Sequence, residues 1–410
     1  MPAIQIHPPL PGSPARPLRA RLRSWTAGLL VALAATLLAA APPAALKVAT
    51  FDSGFGGFLT AKSIEGAAAP LLRDYDATLT IRHYGDTQNL PYGEKTPDQI
   101  AHLGSAGVLK AFQQGADMVF IACNTASTQY QRIRQAVDQA YPGQDKPVVS
   151  IIDASSREAK RLLDQTLARR PSAVFTILAT PATVRSMVYP RGLAALYGAP
   201  LVEEAPRVHT QARWNAAKGA AIDSLTQRNR LELPGGRRIE VLQMAPANWV
   251  ELIELGADAA AKEAAIRRDL GLLQPLFAQA GAPDVVGYFC THYPIFDAAI
   301  RAEVGARNPG APPAAYISQG QLMAGLFVQL AQGRLQDHRR ARPLGPDQLR
   351  PLVEGARATI TISGKNGAVT RDLARTLFPA DPAPQVTEED LGMLGTDKGT
   401  SKGLRAGGNQ

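Results

Sequence analysis

The chain has 410 residues, 45% of them apolar and 19% charged, which excludes wholesale disorder and leaves room for two domains with sizeable cores. The net charge is +9, and four of those charges are Arg16, Arg19, Arg21 and Arg23 in an N-terminal segment without a single acid. No other Lys/Arg block of the nucleic-acid kind occurs and aromatics are only 6%, so no nucleic-acid partner is expected. The six histidines (His7, His83, His102, His209, His292 and His338) show no ligand spacing, so no metal is expected.

Residues 1–45 read as a targeting segment. Arg16 to Arg23 form a basic flank, and Trp25 to Ala41 are apolar apart from Thr26, Gly28 and Thr36. That length suits a signal-peptide core better than a membrane span. Pro42 and Pro43 interrupt an Ala-x-Ala site after Ala41. Cleavage near Ala45 and a retained membrane anchor through residues 25–41 therefore both stay open. In either case the mature chain is expected outside the cytoplasm, in the periplasm.

Lys47 to Phe51 is the first predicted strand. It runs into Asp52-Ser53-Gly54-Phe55-Gly56-Gly57, with a helix from about Leu59. Such glycines let backbone N–H groups approach an anion, but the third glycine of a dinucleotide fingerprint is missing at its spacing. Asp52 is either a helix cap or a group that orients a substrate ammonium or a proton. Leu79 to Tyr84 is the second strand, followed by a loop through Gly85-Asp86-Thr87 and Pro91-Tyr92-Gly93. Met118 to Ala122 reads as a buried strand that stops at Cys123-Asn124-Thr125-Ala126-Ser127. Cys123 thus falls at the carboxyl end of a strand, where open α/β sheets hold ligands. It also falls near a helix N-terminus, which lowers a thiol's pKa. Val148 to Ile152 is a further strand.

Phe175 to Leu178 opens the second half and ends in Ala179-Thr180-Pro181-Ala182-Thr183. Gln211 to Arg230 reads as a helix and Ile239 to Met244 as a strand. Glu254 precedes a long helix to about Ala280. Val285 to Phe289 ends in Cys290-Thr291-His292-Tyr293-Pro294, again an apolar run closed by a cysteine and a hydroxyl residue. Ala315 to Ile317 and Thr359 to Ile362 are the last strands, and the polar tail, 381–410, is expected to be disordered. Strands alternating with helices at this spacing give an α/β fold of two similar lobes with parallel sheets flanked by helices, the active site in the cleft between them. The first lobe is expected over 46–147, completed by 311–380, and the second over 148–310. Two cysteines in an exported chain commonly form a structural disulfide. Their matching strand-end turns, one per half, point instead to two thiols converging on one site.

These motifs carry a resemblance. Asp52-Ser53-Gly54-x-Gly56-Gly57, Gly85-Asp86-Thr87, Pro91-Tyr92-Gly93, Cys123-Asn124-Thr125-Ala126-Ser127, Ala182-Thr183 and Cys290-Thr291-His292-Tyr293-Pro294 come in the order of the aspartate/glutamate racemase superfamily, and the chain resembles its glutamate racemases. The resemblance implies a racemase whose two cysteines flank the α-carbon of an acidic amino acid and work without a cofactor. It implies that Asp52 assists Cys123, that His292 assists Cys290, and that Glu254 supports His292. Ser53, Tyr92, Gly93, Asn124, Thr125, Thr183 and Thr291 match substrate-contacting positions, and family members often form homodimers. The segments from about His209 to Gly236 and from about Arg334 are longer than in typical members.

The chemistry needs such a pair. Racemisation takes a proton from one face of the α-carbon and returns it to the other, so one thiolate serves as base and one thiol as acid. Two alternatives use the same cleft. One is an exported, non-catalytic binding protein for acidic amino acids. The other is a superfamily racemase or decarboxylase acting on another substrate.

Overall fold

The computed structural model describes residues 42–213 and 221–389. The basic flank and apolar run of the expected leader, and the tail from residue 390, lie outside these. The described strands are β1 (Ala44–Asp52), β2 (Ala77–Gly85), β3 (Met118–Ile121), β4 (Val148–Ser150), β5 (Ser172–Ala179), β6 (Leu201–Glu203), β7 (Arg207–Gln211), β8 (Ile222–Leu233), β9 (Arg237–Ala245), β10 (Val285–Phe289), β11 (Ala315–Ile317), β12 (Thr359–Ile362) and β13 (Val386–Glu388). They form two sheets. The first runs β13-β12-β2-β1-β3-β4, every neighbour parallel. The second runs β11-β10-β5-β9-β8-β6, with β7 also paired to β8.

The strands of the first sheet are apolar on both faces because helices cover both. Their alternate residues divide between two cores. Val48, Met118 and Phe120 pack on one side with Phe55, Phe58 and Phe327, and Ala49, Val119 and Ile121 on the other with Ile100, Val108 and Phe112. The second sheet divides likewise. Phe175 and Ile177 face one core, and Val174 and Leu178 face the core of Trp249, Leu252 and Ile253.

Several details differ from the sequence-based expectation. The helix expected over Gln211–Arg230 gives way to a long strand, β8. This strand is hydrogen-bonded to β9 on one side and to β6 and β7 on the other, all antiparallel, so two-sided pairing overrides helical propensity. The second sheet is therefore mixed, with only β11, β10, β5 and β9 parallel. The long helix before Ala280 is two, Ala259–Gly271 and Gln274–Ala280, with Pro275 in the first turn of the second. The sheets also cross the expected lobe boundaries. β4 belongs to the first sheet, since Val148 pairs with Val119, and β11 belongs to the second, since Ala315 pairs with Val285. Part of the expected disordered tail is ordered as β13, which pairs Val386 with Ile360 at the edge of the first sheet.

Register brings the two cysteine turns to corresponding places. In the first sheet Phe51 pairs with Ile121, so Asp52 and Cys123 leave neighbouring strands at the same end. In the second Phe289 pairs with Ala179, so Cys290 and Thr180 do the same. Both pairs stand at carboxyl strand ends, the position at which α/β sheets collect ligands.

Candidate active site

The two sets of strand ends enclose one cavity. It is lined by Asp52, Ser53, Pro91, Tyr92, Gly93, Cys123, Asn124, Thr125, Thr180, Val250, Cys290, Thr291 and His292. It is tightly closed: the space open to the centre of a water molecule is about 10 Å³, roughly that of one water. Two residues singled out in the sequence stand behind this lining. Glu254 lies beneath His292, and Thr183 lies beneath Thr180. Pro91, Thr180 and Val250 also line the cavity; Pro91 was signalled only as part of the Pro91-Tyr92-Gly93 motif, Thr180 only as a hydroxyl at a strand end, and Val250 not at all.

Both cysteines are free and buried. Cys123 caps a single four-residue turn, Asn124–Ser127, and its Sγ accepts from Ala126 N–H at 3.4 Å. The expected lowering of its pKa does not occur. Burial pushes the thiol above its ordinary value and the nearby Asp52 carboxylate adds to this, outweighing the Ala126 and Ser53 hydrogen bonds. So short a turn supplies little dipole to set against desolvation. The Cys123 thiol reaches Asp52 through Ser53: Sγ is 3.8 Å from Ser53 Oγ, which donates to Asp52 Oδ1 at 3.2 Å. Asp52 is fully buried, and its other oxygen accepts the Thr291 hydroxyl at 2.6 Å from the opposite lobe.

Cys290 has a different setting. Its Sγ lies 3.7 Å from His292 Nδ1, and His292 Nε2 lies 2.7 Å from Glu254 Oε1. Burial opposes charge on His292, but the hydrogen bonds to Cys290 and Glu254, with their negative charge, hold its pKa well above the ordinary histidine value. The glycine-rich turn completes this site. Phe55 N–H donates to Glu254 Oε1 at 2.5 Å. A Cβ on Gly54 would come within 2.2 Å of that same oxygen, and one on Gly56 within 2.7 Å of His292 Nδ1. The anion that the turn embraces is thus the protein's own Glu254.

The remaining lining is held by buried hydrogen bonds. Thr125, Thr180 and Thr183 form a hydroxyl chain across the cleft, with Thr125 Oγ1 2.7 Å from Thr180 Oγ1 and the latter 3.0 Å from Thr183 Oγ1. Tyr92 donates its hydroxyl to Asp86 Oδ2 at 2.7 Å, and Asp86 also accepts from Asn89 and Ser363. The Tyr92 hydroxyl is therefore committed to its own loop, leaving the ring and the Gly93 backbone to face the cavity. His83 anchors the Asp52 turn from below. Its Nε2 is 2.9 Å from the Gly54 carbonyl, which can only accept, so Nδ1 is left to accept from Thr50 Oγ1 at 2.9 Å. Burial keeps this imidazole below the ordinary histidine pKa and hence neutral. As isolated polar residues in strands or loops, His83 and Asp86 gave no sequence signal of these roles.

Known proteins resemble this chain in sequence and in fold. The family described as Asp/Glu/Hydantoin racemase matches residues 61–233. A glutamate racemase of Deinococcus radiodurans is 27% identical over 266 residues, which is 65% of this chain and 70% of the relative. Among solved structures, a glutamate racemase isoform of Bacillus anthracis superposes with a TM-score of 0.56 at 17% identity, covering 84% of this chain and 98% of the other. A glutamate racemase of Francisella tularensis, solved with D-glutamate, gives a TM-score of 0.53 at 16% identity over 84% and 98%. At these identities the structural matches speak for the fold alone.

Proposed function

We propose that the chain is an amino-acid racemase of the aspartate/glutamate racemase superfamily, and that it interconverts L- and D-glutamate by proton transfer between Cys123 and Cys290, without a cofactor. The observation that carries this is the closed cavity lined by two free thiols from opposite lobes, each with its own acidic helper. Asp52 serves Cys123 through Ser53, and the Glu254–His292 pair serves Cys290.

The proton positions set the direction from rest. Cys123 keeps its proton because burial and Asp52 disfavour a thiolate there. His292 is held protonated with Nδ1 3.7 Å from Cys290 Sγ, so a positive charge faces that sulfur. Cys290 then removes the α-hydrogen of the L-enantiomer, and Cys123 delivers a proton to the opposite face. In the reverse direction the roles exchange. The carbanion between them is met by the hydroxyls of Ser53, Thr125 and Thr180 and by backbone N–H groups at the strand ends. The closed cavity has no room for an amino acid, so the lobes part to admit substrate and close to exclude water.

The test is chiral analysis of purified protein incubated separately with L- and D-glutamate and L- and D-aspartate. Racemisation of glutamate is expected. Turnover of aspartate alone would change the substrate, and binding without turnover would make the chain a binding protein. We further propose that the arginine-flanked apolar run exports the enzyme. A reporter joined after Leu46 is expected outside the cytoplasm, and a cytosolic reporter with an intact leader would reject export.

A further inference from the structure

Asn124 follows Cys123 directly and lines the cavity, yet most of its hydrogen-bonding capacity is turned away from it. Asn124 Nδ2 donates to Gln319 Oε1 at 2.8 Å, and Gln319 Nε2 donates back to Asn124 Oδ1 at 2.9 Å. The same Oδ1 accepts the Tyr189 hydroxyl. Gln319 Nε2 spends its second hydrogen on Ser155 Oγ at 2.8 Å. A carboxamide accepts from Nδ2 through its oxygen and donates to Oδ1 through its nitrogen; a carboxylate or an alkyl group cannot do both. The four residues come from four separate segments and all are buried. Gln319 opens the helix Gln319–Leu335 just beyond the carboxyl end of β11, so it approaches the cleft from the same side as the cysteines. Tyr189 in turn stacks on Phe289, the residue before Cys290, with ring centroids 3.7 Å apart.

We propose that Gln319 is a positioning residue of the racemase, and that its head-to-tail pairing with Asn124 leaves one Asn124 N–H free to receive a substrate carboxylate. The proposal rests on the glutamate-racemase reading above. With both lone-pair directions of Oδ1 filled and one Nδ2 hydrogen used, the single remaining group on Asn124 is a donor. Without Gln319 only Tyr189 still holds the amide, so it is less firmly set and its oxygen, which repels a carboxylate, can turn toward the cavity. Tyr189 acts as the second anchor, and its stacking on Phe289 ties the setting of Asn124 to the Cys290 turn.

The experiment is a double-mutant cycle on the full protein, read as KM and kcat for each glutamate enantiomer. Q319L is expected to raise KM about 10-fold with kcat changed about 2-fold or less, and Y189F, which keeps the stacked ring, to raise KM about 3-fold. Q319E should be worse than Q319L, because it adds negative charge where the carboxylate binds. The deciding comparison uses N124A. If Gln319 acts through Asn124, N124A/Q319L has the KM of N124A alone; if the two effects multiply, Gln319 does not act through Asn124 and the proposal is overturned. An unchanged KM in Q319L overturns it as well. Should Q319L fail to fold, as judged by circular dichroism, Q319A in the same cycle with N124A gives the same decision. Absence of glutamate turnover in the parent protein would instead defeat the underlying functional reading.

Discussion

The two cysteine turns do the same job with opposite electrostatics. Cys290 stands beside a histidine kept protonated by a buried glutamate, whereas Cys123 has only a hydroxyl between itself and a buried aspartate. One sulfur faces a positive charge, and the other lies in a setting that favours keeping its proton. On the proposed mechanism, a reaction that is symmetric between mirror images is thus run by an asymmetric pair, and the asymmetry lies in the partners rather than in the thiols.

The largest effect tests whether the pair is a pair. Cys123→Ala and Cys290→Ala should each reduce racemisation by roughly 10³-fold or more, measured by chiral chromatography, because a proton must leave one face and arrive on the other. Exchange of the α-hydrogen in heavy water needs only the base on that face. Cys290→Ala should therefore still exchange the D-enantiomer and Cys123→Ala the L-enantiomer; racemisation retained by either variant would dissolve the comparison. Next in size, His292→Asn should cost about 10²-fold in kcat/KM, falling most heavily in the L-to-D direction. It should also change the response to pH. The raised pKa of His292 means that its contribution to stability is complete below about pH 6.5, the ordinary histidine value, and is lost as pH rises through the raised value. Thermal melts of His292→Asn should lack that alkaline decline.

Thr291→Val removes the one hydroxyl that joins the turns, its bond to Asp52 Oδ2. Loss of a buried hydrogen bond to a carboxylate should lower stability by about 1.5–3 kcal/mol in denaturant titrations. The smallest effect is expected from Tyr92→Phe. The lost bond to Asp86 should cost about 1 kcal/mol of stability and leave KM within about 2-fold, since the hydroxyl points away from the cavity. A large rise in KM would show that this hydroxyl turns toward substrate.

The strand-end cysteines were legible in the sequence because each closes an apolar run and opens a turn of small hydroxyl and amide residues. Less was legible wherever three-dimensional neighbours decide. Nothing in Ile222–Leu233 announces a strand until β9, β6 and β7 flank it. The short strands β4 and β11 could not be assigned to a sheet without their pairing. A helix N-terminus suggested an acidified thiol at Cys123, but its burial and the facing Asp52 reverse the sign, and neither is visible in one dimension. Gln319, Tyr189 and His83 are single polar letters whose roles arise from contacts across 33 to 195 positions.

On the proposed two-thiol mechanism, the carboxylate beside Cys123 would give the enzyme a memory of its last turnover. When D-glutamate departs after forming from L-glutamate, the proton inventory is inverted: Cys123 has lost its proton next to buried Asp52, and Cys290 carries the one taken from substrate. A molecule of D-glutamate arriving at once finds its base ready, but another L-glutamate must wait until water restores the resting distribution. At high substrate concentration that refilling, and not the carbon chemistry, is then expected to set the pace of the L-to-D direction, and heavy water to slow it.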